Sequence, residues 1–175
     1  MSLYAVQTVG GEEKHVCDLI QSIADDSIVD ECFVPCSEVA RNFRGQWRTV
    51  EVVLFPGYIF IETSDPVELK RQLWQVPAFT RVLGVNGTCL PLSDAEEAWL
   101  NAFTHHGDRT VHMSEGIIEG DEVLILSGPL MNKTAEIKKI DRHKRCAYLE
   151  ITMLGRTKLV KMGLEIVHKR KAAVA

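Results

Sequence analysis

Two groups of residues in this sequence have the types and spacing to do chemistry, and both are cationic. Lys138-Lys139-Ile140-Asp141-Arg142-His143-Lys144-Arg145 reads as a strand running into a turn, with Lys138, Lys139, Arg142, Lys144 and Arg145 as its positive charges. A small basic surface of this kind contacts nucleic-acid phosphates, and its affinity falls as salt competes. Upstream, Arg41, Arg44 and Arg48 surround Trp47. Guanidinium groups bind phosphate, and an exposed indole stacks on an unpaired base. For each group the alternative is an ordinary solvated face.

Catalysis is a poorer fit. His15 with Cys17, and His105-His106, have no carboxylate placed to orient them and no motif that sets them in a pocket. His15 and Cys17 are two apart on a helix, so they do not face each other. Cys17, Cys32, Cys36, Cys89 and Cys146 form no C-x-x-C pair and are odd in number, which suits reduced thiols. Cys32 and Cys36 flank Phe33-Val34-Pro35 in extended chain, too far apart to share a metal easily. The expectation is a non-enzyme with no metal and no cofactor, its cysteines packed as small apolar residues.

Composition sets the frame for these groups. The chain has 175 residues, 46% apolar and 25% charged, enough for one ordinary domain or two small ones. No apolar run is long enough for a bilayer, and the N-terminus lacks the basic and apolar regions of a signal peptide. A cytoplasmic protein with no membrane partner is expected. The net charge of -4 divides unevenly: residues 1–115 carry -9, and the chain from Gly116 onward carries +5. A basic C-terminal module on an acidic body points to a polyanion partner for that module.

The elements that position the candidates follow from patterning. The organising stretch is Leu54-Phe55-Pro56-Gly57-Tyr58-Ile59-Phe60-Ile61, an apolar strand broken by Pro-Gly. Such a break bends or bulges a strand and re-aims its neighbours, here Phe55 and Tyr58, either toward a partner or into the core. Before it, residues 3–9 read as a strand, Gly10-Gly11 as a turn, and Val16, Leu19, Ile20 and Ile23 as the face of a helix. Residues 29–35 and 46–54 are further strands, with Gly45 at a hairpin turn. Asp65-Pro66-Val67-Glu68 starts a short helix to about Gln75. Residues 81–85 are a strand closed by Asn86-Gly87, and Ser93-Asp94-Ala95-Glu96 is a capping box for a helix that packs Ala95, Ala98, Trp99, Ala102 and Phe103.

This β-α-β-β-α-β-α order predicts an α+β sandwich, an antiparallel sheet with helices, over residues 1–107. Residues 108–116 have little to bury and read as a linker. The remainder, 117–170, is all β, with strands at 123–126, 136–140, 146–153, 157–161 and 164–167, which suggests a small five-stranded barrel ahead of a basic tail at 171–175. Lys138 and Lys139 cannot both face solvent from a regular strand, so that edge must be bulged or the turn must begin early.

Two local patterns coincide with a known family. Leu3-Tyr4-Ala5-Val6-Gln7-Thr8, Gly11-Glu12, Val34-Pro35 with Glu38, and Leu54-Phe55-Pro56-Gly57-Tyr58-Ile59-Phe60 resemble the NusG N-terminal (NGN) signature. Glu119-Gly120-Asp121, Gly128-Pro129-Leu130, Ile140-Asp141-Arg142, Leu154-Gly155-Arg156 and Val160 resemble a KOW barrel. The resemblance implies a transcription elongation factor whose first domain docks on the clamp helices of RNA polymerase through an apolar concave face, with Tyr4, Phe55 and Tyr58 as contacts. Rigid aromatic anchors of that kind dominate interfaces. It also implies a KOW surface at Leu130, Met153, Leu154 and Arg156 for a ribosome or termination factor. In a transcription bubble the residue types of Arg41, Arg44, Trp47 and Arg48 suit non-template DNA, and a monomer is expected.

The KOW module departs from the family in three places: Leu130 and Leu154 stand where an aromatic is common, and the other two lie in the turn after the first strand and in the basic segment. A glycine expected in the turn after its first strand is replaced by Lys133-Thr134-Ala135, and the basic segment 138–145 is unusual for a general NusG. In this the chain looks most like the LoaP group of specialised antiterminators, which implies a leader RNA hairpin as partner. Two competitors remain: the housekeeping factor, and a ribosome-associated RNA-binding protein, against which the acidic first domain argues.

Overall fold

The structure, a computed structural model, describes residues 1–167; the tail residues at 171–175, with Lys169 and Arg170 before them, lie outside the described residues. In chain order the first elements are β1 (Ser2–Gln7), α1 (Glu13–Ile23), β2 (Glu31–Phe33), β3 (Cys36–Phe43), β4 (Gln46–Val53), β5 (Tyr58–Thr63) and α2 (Pro66–Leu73). Then come β6 (Arg81–Val82), β7 (Gly84–Val85), β8 (Thr88–Cys89) and α3 (Asp94–Phe103). The last are β9 (Thr110–Val111), β10 (Ser114–Glu119), β11 (Glu122–Ser127), β12 (Ile137–Asp141), β13 (Cys146–Met153) and β14 (Arg156–Ile166). These pack as two compact units, Met1–Pro35 with Val53–Arg109, and Cys36–Val52 with the chain from Thr110 onward. The hairpin 36–52, read from sequence as part of the first domain, is therefore packed with the second unit.

The first unit is built on a sheet of order β2-β5-β1-β6. β1 and β5 pair antiparallel with Val6 opposite Ile59 and Ala5 opposite Phe60, so alternation sends these pairs to opposite faces. One face carries Val6, Ile59, Ile61 and Cys32 against Val16, Cys17 and Ile20 of α1 and Leu69 and Leu73 of α2. The other face is aromatic: Phe60 stacks on Phe33, Phe55 meets Phe60 edge-on at 5.7 Å and Trp99 of α3 at 6.0 Å, and Trp99 meets Phe103 at 4.7 Å.

Both helix starts follow their local chemistry. Asp65 accepts from the Glu68 amide with Pro66 in the first turn, and Ser93 and Glu96 form a reciprocal capping box. The face of α3 differs from expectation. Leu100 and Phe103 are buried and Trp99 is half-buried, whereas Ala95, Ala98 and Ala102 face outward. Large rings turn inward because they remove far more apolar area from water than a methyl group does. Residues 81–85 do not form one strand: β6 pairs with β1, Leu83 donates its amide to Ala5, and β7 and β8 make a separate hairpin at Asn86-Gly87.

In the second unit a five-stranded curled sheet has the order β11-β10-β14-β13-β12. The alternating row Ala147, Leu149, Ile151 and Met153 is wholly buried. The strands expected at 157–161 and 164–167 are one continuous β14, and the fifth strand is β10, which begins inside the stretch read as a linker. Val111 and Ser114 there are 0% exposed. Ser114 earns its burial through the hydroxyl, which accepts from the Leu130 amide at 3.0 Å. The turn that lacks the expected glycine is made by Asn132, at φ 63, and a 3-10 turn at Thr134–Glu136; Asn tolerates the left-handed region better than most side chains.

Candidate functional site

The turn inside the organising stretch is held by a buried carboxylate. Gly57 takes φ 86 and its carbonyl accepts from Thr8 at 2.8 Å. Glu13 at the start of α1 accepts from the Gly57 amide at 2.7 Å and from the Gly11 amide at 3.0 Å. Burial pushes the Glu13 carboxyl up, but the amide donors outweigh it and hold it below the ordinary value. Charge-assisted hydrogen bonds to a carboxylate act in this direction. Glu13 thus fixes where Phe55 and Tyr58 point, a role not readable from a lone Glu on a helix.

The three aromatics expected to anchor a partner do not form one surface. Phe55 is 0% exposed, enclosed by Phe60 and Trp99. Tyr4 is buried and lies opposite Ile61, on the face of Val6 rather than that of Phe60. The physical reason is the register: β1 and β5 pair fully, and α3 supplies a Trp that covers the ring next to Pro56. Tyr58 is half-exposed and shares the Phe60 face. On this geometry Tyr58 is the member of the set that reaches the surface, and Phe55 lies beneath it in the core.

That face ends at an ion pair that patterning did not reveal. Arg109 pairs with Glu31 at 2.6 Å and lays its guanidinium over Phe33, 4.1 Å from the ring centroid. Burial raises the Glu31 carboxyl, and Arg109 more than offsets it, leaving Glu31 below its usual range. His106 lies 4.0 Å from the same carboxylate. Cys17 and Cys32 sit with their sulfurs 3.3 Å apart between α1 and β2, a proximity across fifteen residues that no local signal announces. The hydrogen bond with Cys17, together with burial, drives the Cys32 thiol up.

In the second unit the cations of β12 and its turn are displayed outward. The pairing of β12 with β13 shifts between Ile137 and Lys139, and with that bulge both Lys138 and Lys139 are exposed. Asp141 accepts from the Lys144 amide at 3.0 Å and so sets the turn; that bond, with Lys144 and Lys139 nearby, holds its carboxyl low. Arg142 and Lys144 are exposed and Arg145 is half-buried at φ 53. Beside the strand lies an open groove of about 350 Å³ lined by Val123, Ile125, Ile137 and Ile140 together with Asp121, Lys138, Lys139 and Arg142.

The other nucleic-acid candidates fall in the same unit. Arg41, Arg44 and Arg48 are exposed on the β3–β4 hairpin, whose turn is Arg44-Gly45 with both φ positive. Trp47 is 36% exposed, with the Arg145 guanidinium 4.2 Å from its ring centroid. Of the residues expected to meet a KOW partner, Leu130 and Met153 are 0% exposed and belong to the core. Met153 is inward because it continues the alternation from Ala147, and Leu130 because Ser114 fastens its backbone. Leu154, half-exposed at φ 56, and exposed Arg156 remain at the surface.

An α/β unit whose sheet turns at Phe-Pro-Gly-Tyr, joined to a small curled β-sheet, defines a two-module architecture. The family model described as transcription termination factor NusG matches residues 1–100, and the KOW motif matches residues 119–151. The chain belongs to the NusG family. It is 27% identical to the transcription termination/antitermination protein NusG of Helicobacter pylori over 97% of this chain and 98% of that one. The protein of the same name from Thermus thermophilus is 29% identical over 95% and 97%. A solved structure of Thermotoga maritima NusG, concerned with its domain interaction, has the same fold with TM-score 0.51 at 20% identity, covering 93% of each chain.

Proposed function

We propose that this chain is an elongation factor of the specialised, LoaP-like kind. Its first unit docks on the clamp helices of RNA polymerase, and its second binds a structured leader RNA, so that polymerase is carried past terminators at chosen operons. The observation that carries this reading is the displayed cationic segment from Lys138 to Arg145. The bulge in β12 and the Asp141 turn aim Lys138, Lys139, Arg142 and Lys144 outward, where they can neutralise phosphates. Docking on polymerase uses Tyr58 at the surface of the first unit. The protein works as a cytoplasmic monomer and needs no cofactor.

The test is transcription in vitro through a terminator, with and without the upstream leader. Read-through that rises only when protein and leader are both present supports the proposal. A Lys139→Ala, Arg142→Ala, Lys144→Ala variant should lose that increment while still binding polymerase. The second reading is a general factor that acts in pausing, termination or coupling to a ribosome, and the surface position of Leu154 and Arg156 favours it. An effect on elongation that ignores the leader and disappears in Leu154→Ala, Arg156→Ala would establish that reading instead.

A further inference from the structure

The two basic groups are far apart in sequence, yet the fold joins them. β3 pairs parallel with β9 through Cys36 and Ser37, and the Ser37 hydroxyl donates to the Lys161 carbonyl of β14 at 2.8 Å. Gly163 makes this approach possible, because a β-carbon there would collide with the Glu38 carbonyl oxygen and the Met113 sulfur. The base of the β3–β4 hairpin is thus fastened to the curled sheet. Its outer half, with Arg41, Arg44 and Arg48, is exposed.

Where the hairpin meets the β12–β13 turn, Arg145 lies over Trp47 at 4.2 Å. Arg145 is itself fixed: its carbonyl accepts from the Leu164 amide at 3.0 Å, and its guanidinium stands 3.6 Å from Glu165. On the hairpin Arg48 lies over Phe43 at 5.8 Å. Each ring has a guanidinium over it, and both rings stay partly exposed, Phe43 at 43% and Trp47 at 36%. The neighbouring carboxylates have internal partners: Glu38 meets His112, Asp141 the Lys144 amide, Glu165 Arg145 and Glu51 the Thr110 hydroxyl.

We propose that the β3–β4 hairpin and the β12–β13 turn form one binding surface for the backbone of a folded RNA hairpin, joined at the Trp47–Arg145 stack. The proposal rests on the reading of the second unit as an RNA-binding module and extends it to a segment whose sequence belongs to the NGN match. Duplex RNA is the ligand that fits. An A-form stem is recognised by shape and phosphate contacts, whereas single strands are held mainly by stacking on aromatic rings, and here the exposed cations of the hairpin and the turn outnumber the two rings, each of which already has a guanidinium over it. Two basic projections side by side engage more phosphates than either alone.

The experiment titrates the full chain with a leader RNA hairpin, and separately with single-stranded DNA of equal length, at several salt concentrations. Four variants are compared with the parent: Arg41→Ala, Arg44→Ala, Arg48→Ala together; Lys139→Ala, Arg142→Ala, Lys144→Ala together; Trp47→Ala; and Trp47→Phe. For about six phosphates the log-log salt slope of the parent is on the order of -5, and each triple variant should flatten it by roughly 2 and weaken RNA binding at least tenfold. Trp47→Ala should weaken binding with little change in slope, and Trp47→Phe should restore most of it, with amide NMR spectra confirming that each variant is folded. If the hairpin triple leaves RNA affinity and slope unchanged, the joint surface is refuted while the β12 segment keeps its RNA. If that triple affects only the DNA, the hairpin is a DNA surface and the proposal falls. Unchanged RNA affinity in Trp47→Ala would refute the junction, and a parent that binds no RNA would remove the functional reading along with it.

Discussion

Phe55 shows how one residue type can be read correctly and placed wrongly. Its neighbours Pro56 and Gly57 announce a bend, and the bend is there, with Gly57 at φ 86. What decides the fate of the ring is Trp99, more than forty residues later, which closes over it. No local signal links the two. Phe55→Ala is therefore expected to destabilise the first unit by roughly 3–5 kcal/mol, as buried Phe truncations do, seen as a lower denaturant midpoint. Tyr58→Ala should leave that midpoint nearly unchanged while weakening polymerase binding; the reverse pattern would put Phe55 back at the interface. Glu13 gives a second test at this scale. Its folded carboxyl titrates below the ordinary value of 4.5, so the folded state binds fewer protons there than the unfolded chain. Its stabilising contribution is complete above about pH 4.5 and is lost as pH falls through the folded value. In Glu13→Gln the stability curve from about pH 5 down to about pH 3 should be flatter than in the parent, and identical slopes there would mean that Glu13 is not held as the structure shows.

At the scale of elements, what was legible was whatever depends on a few adjacent residues. The Asp65 and Ser93 caps, the Arg44-Gly45 and Asn86-Gly87 turns and the alternating row of β13 are all local chemistry. The need for a bulge at Lys138-Lys139 was also readable, because a regular strand cannot expose neighbours on one side. Pairing partners were not readable. β10 looks like linker since Ser114, Glu115 and Gly116 carry no apolar pattern, yet it lies between β11 and β14 because its polar groups find partners, Ser114 with the Leu130 amide. Gly163 belongs to the same category: within an eleven-residue strand it resembles a weak point, and only the approach of β3 explains it. Gly163→Val should push β3 off β14 and free the hairpin. Hydrogen exchange at the amides of Ser37 to Arg41 should then accelerate at least tenfold, with β13 amides changing less. Equal acceleration throughout would mean that the glycine serves the sheet itself rather than the hairpin.

For the whole molecule, charge follows packing as well as sequence. Met1–Pro35 with Val53–Arg109 holds 5 basic and 14 acidic residues, net -9, and the rest holds 15 and 10, net +5. The basic unit gains Arg41, Arg44 and Arg48 from the hairpin, which a division at 108–116 would have left with the acidic one. Whether that assignment is energetic can be tested by cutting the chain at the boundary suggested by sequence. In a fragment of residues 1–107 the hairpin keeps its turn but loses β9 and β14, so Cys36, Ser37 and Val39, all buried in the full chain, meet water. A two-stranded hairpin without a covered face is marginal in water. Trypsin should therefore cut at Arg41, Arg44 and Arg48 markedly faster in the fragment than in the intact protein, while Arg109-independent sites such as Lys70 and Arg71 on α2 are cut at similar rates in both. Adding the complementary fragment 108–175 should slow cleavage at the three hairpin arginines as its β9 and β14 become available again. Equal cleavage in fragment and full chain would mean that the hairpin is stable by itself, and its place beside the curled sheet would then be no more than a contact.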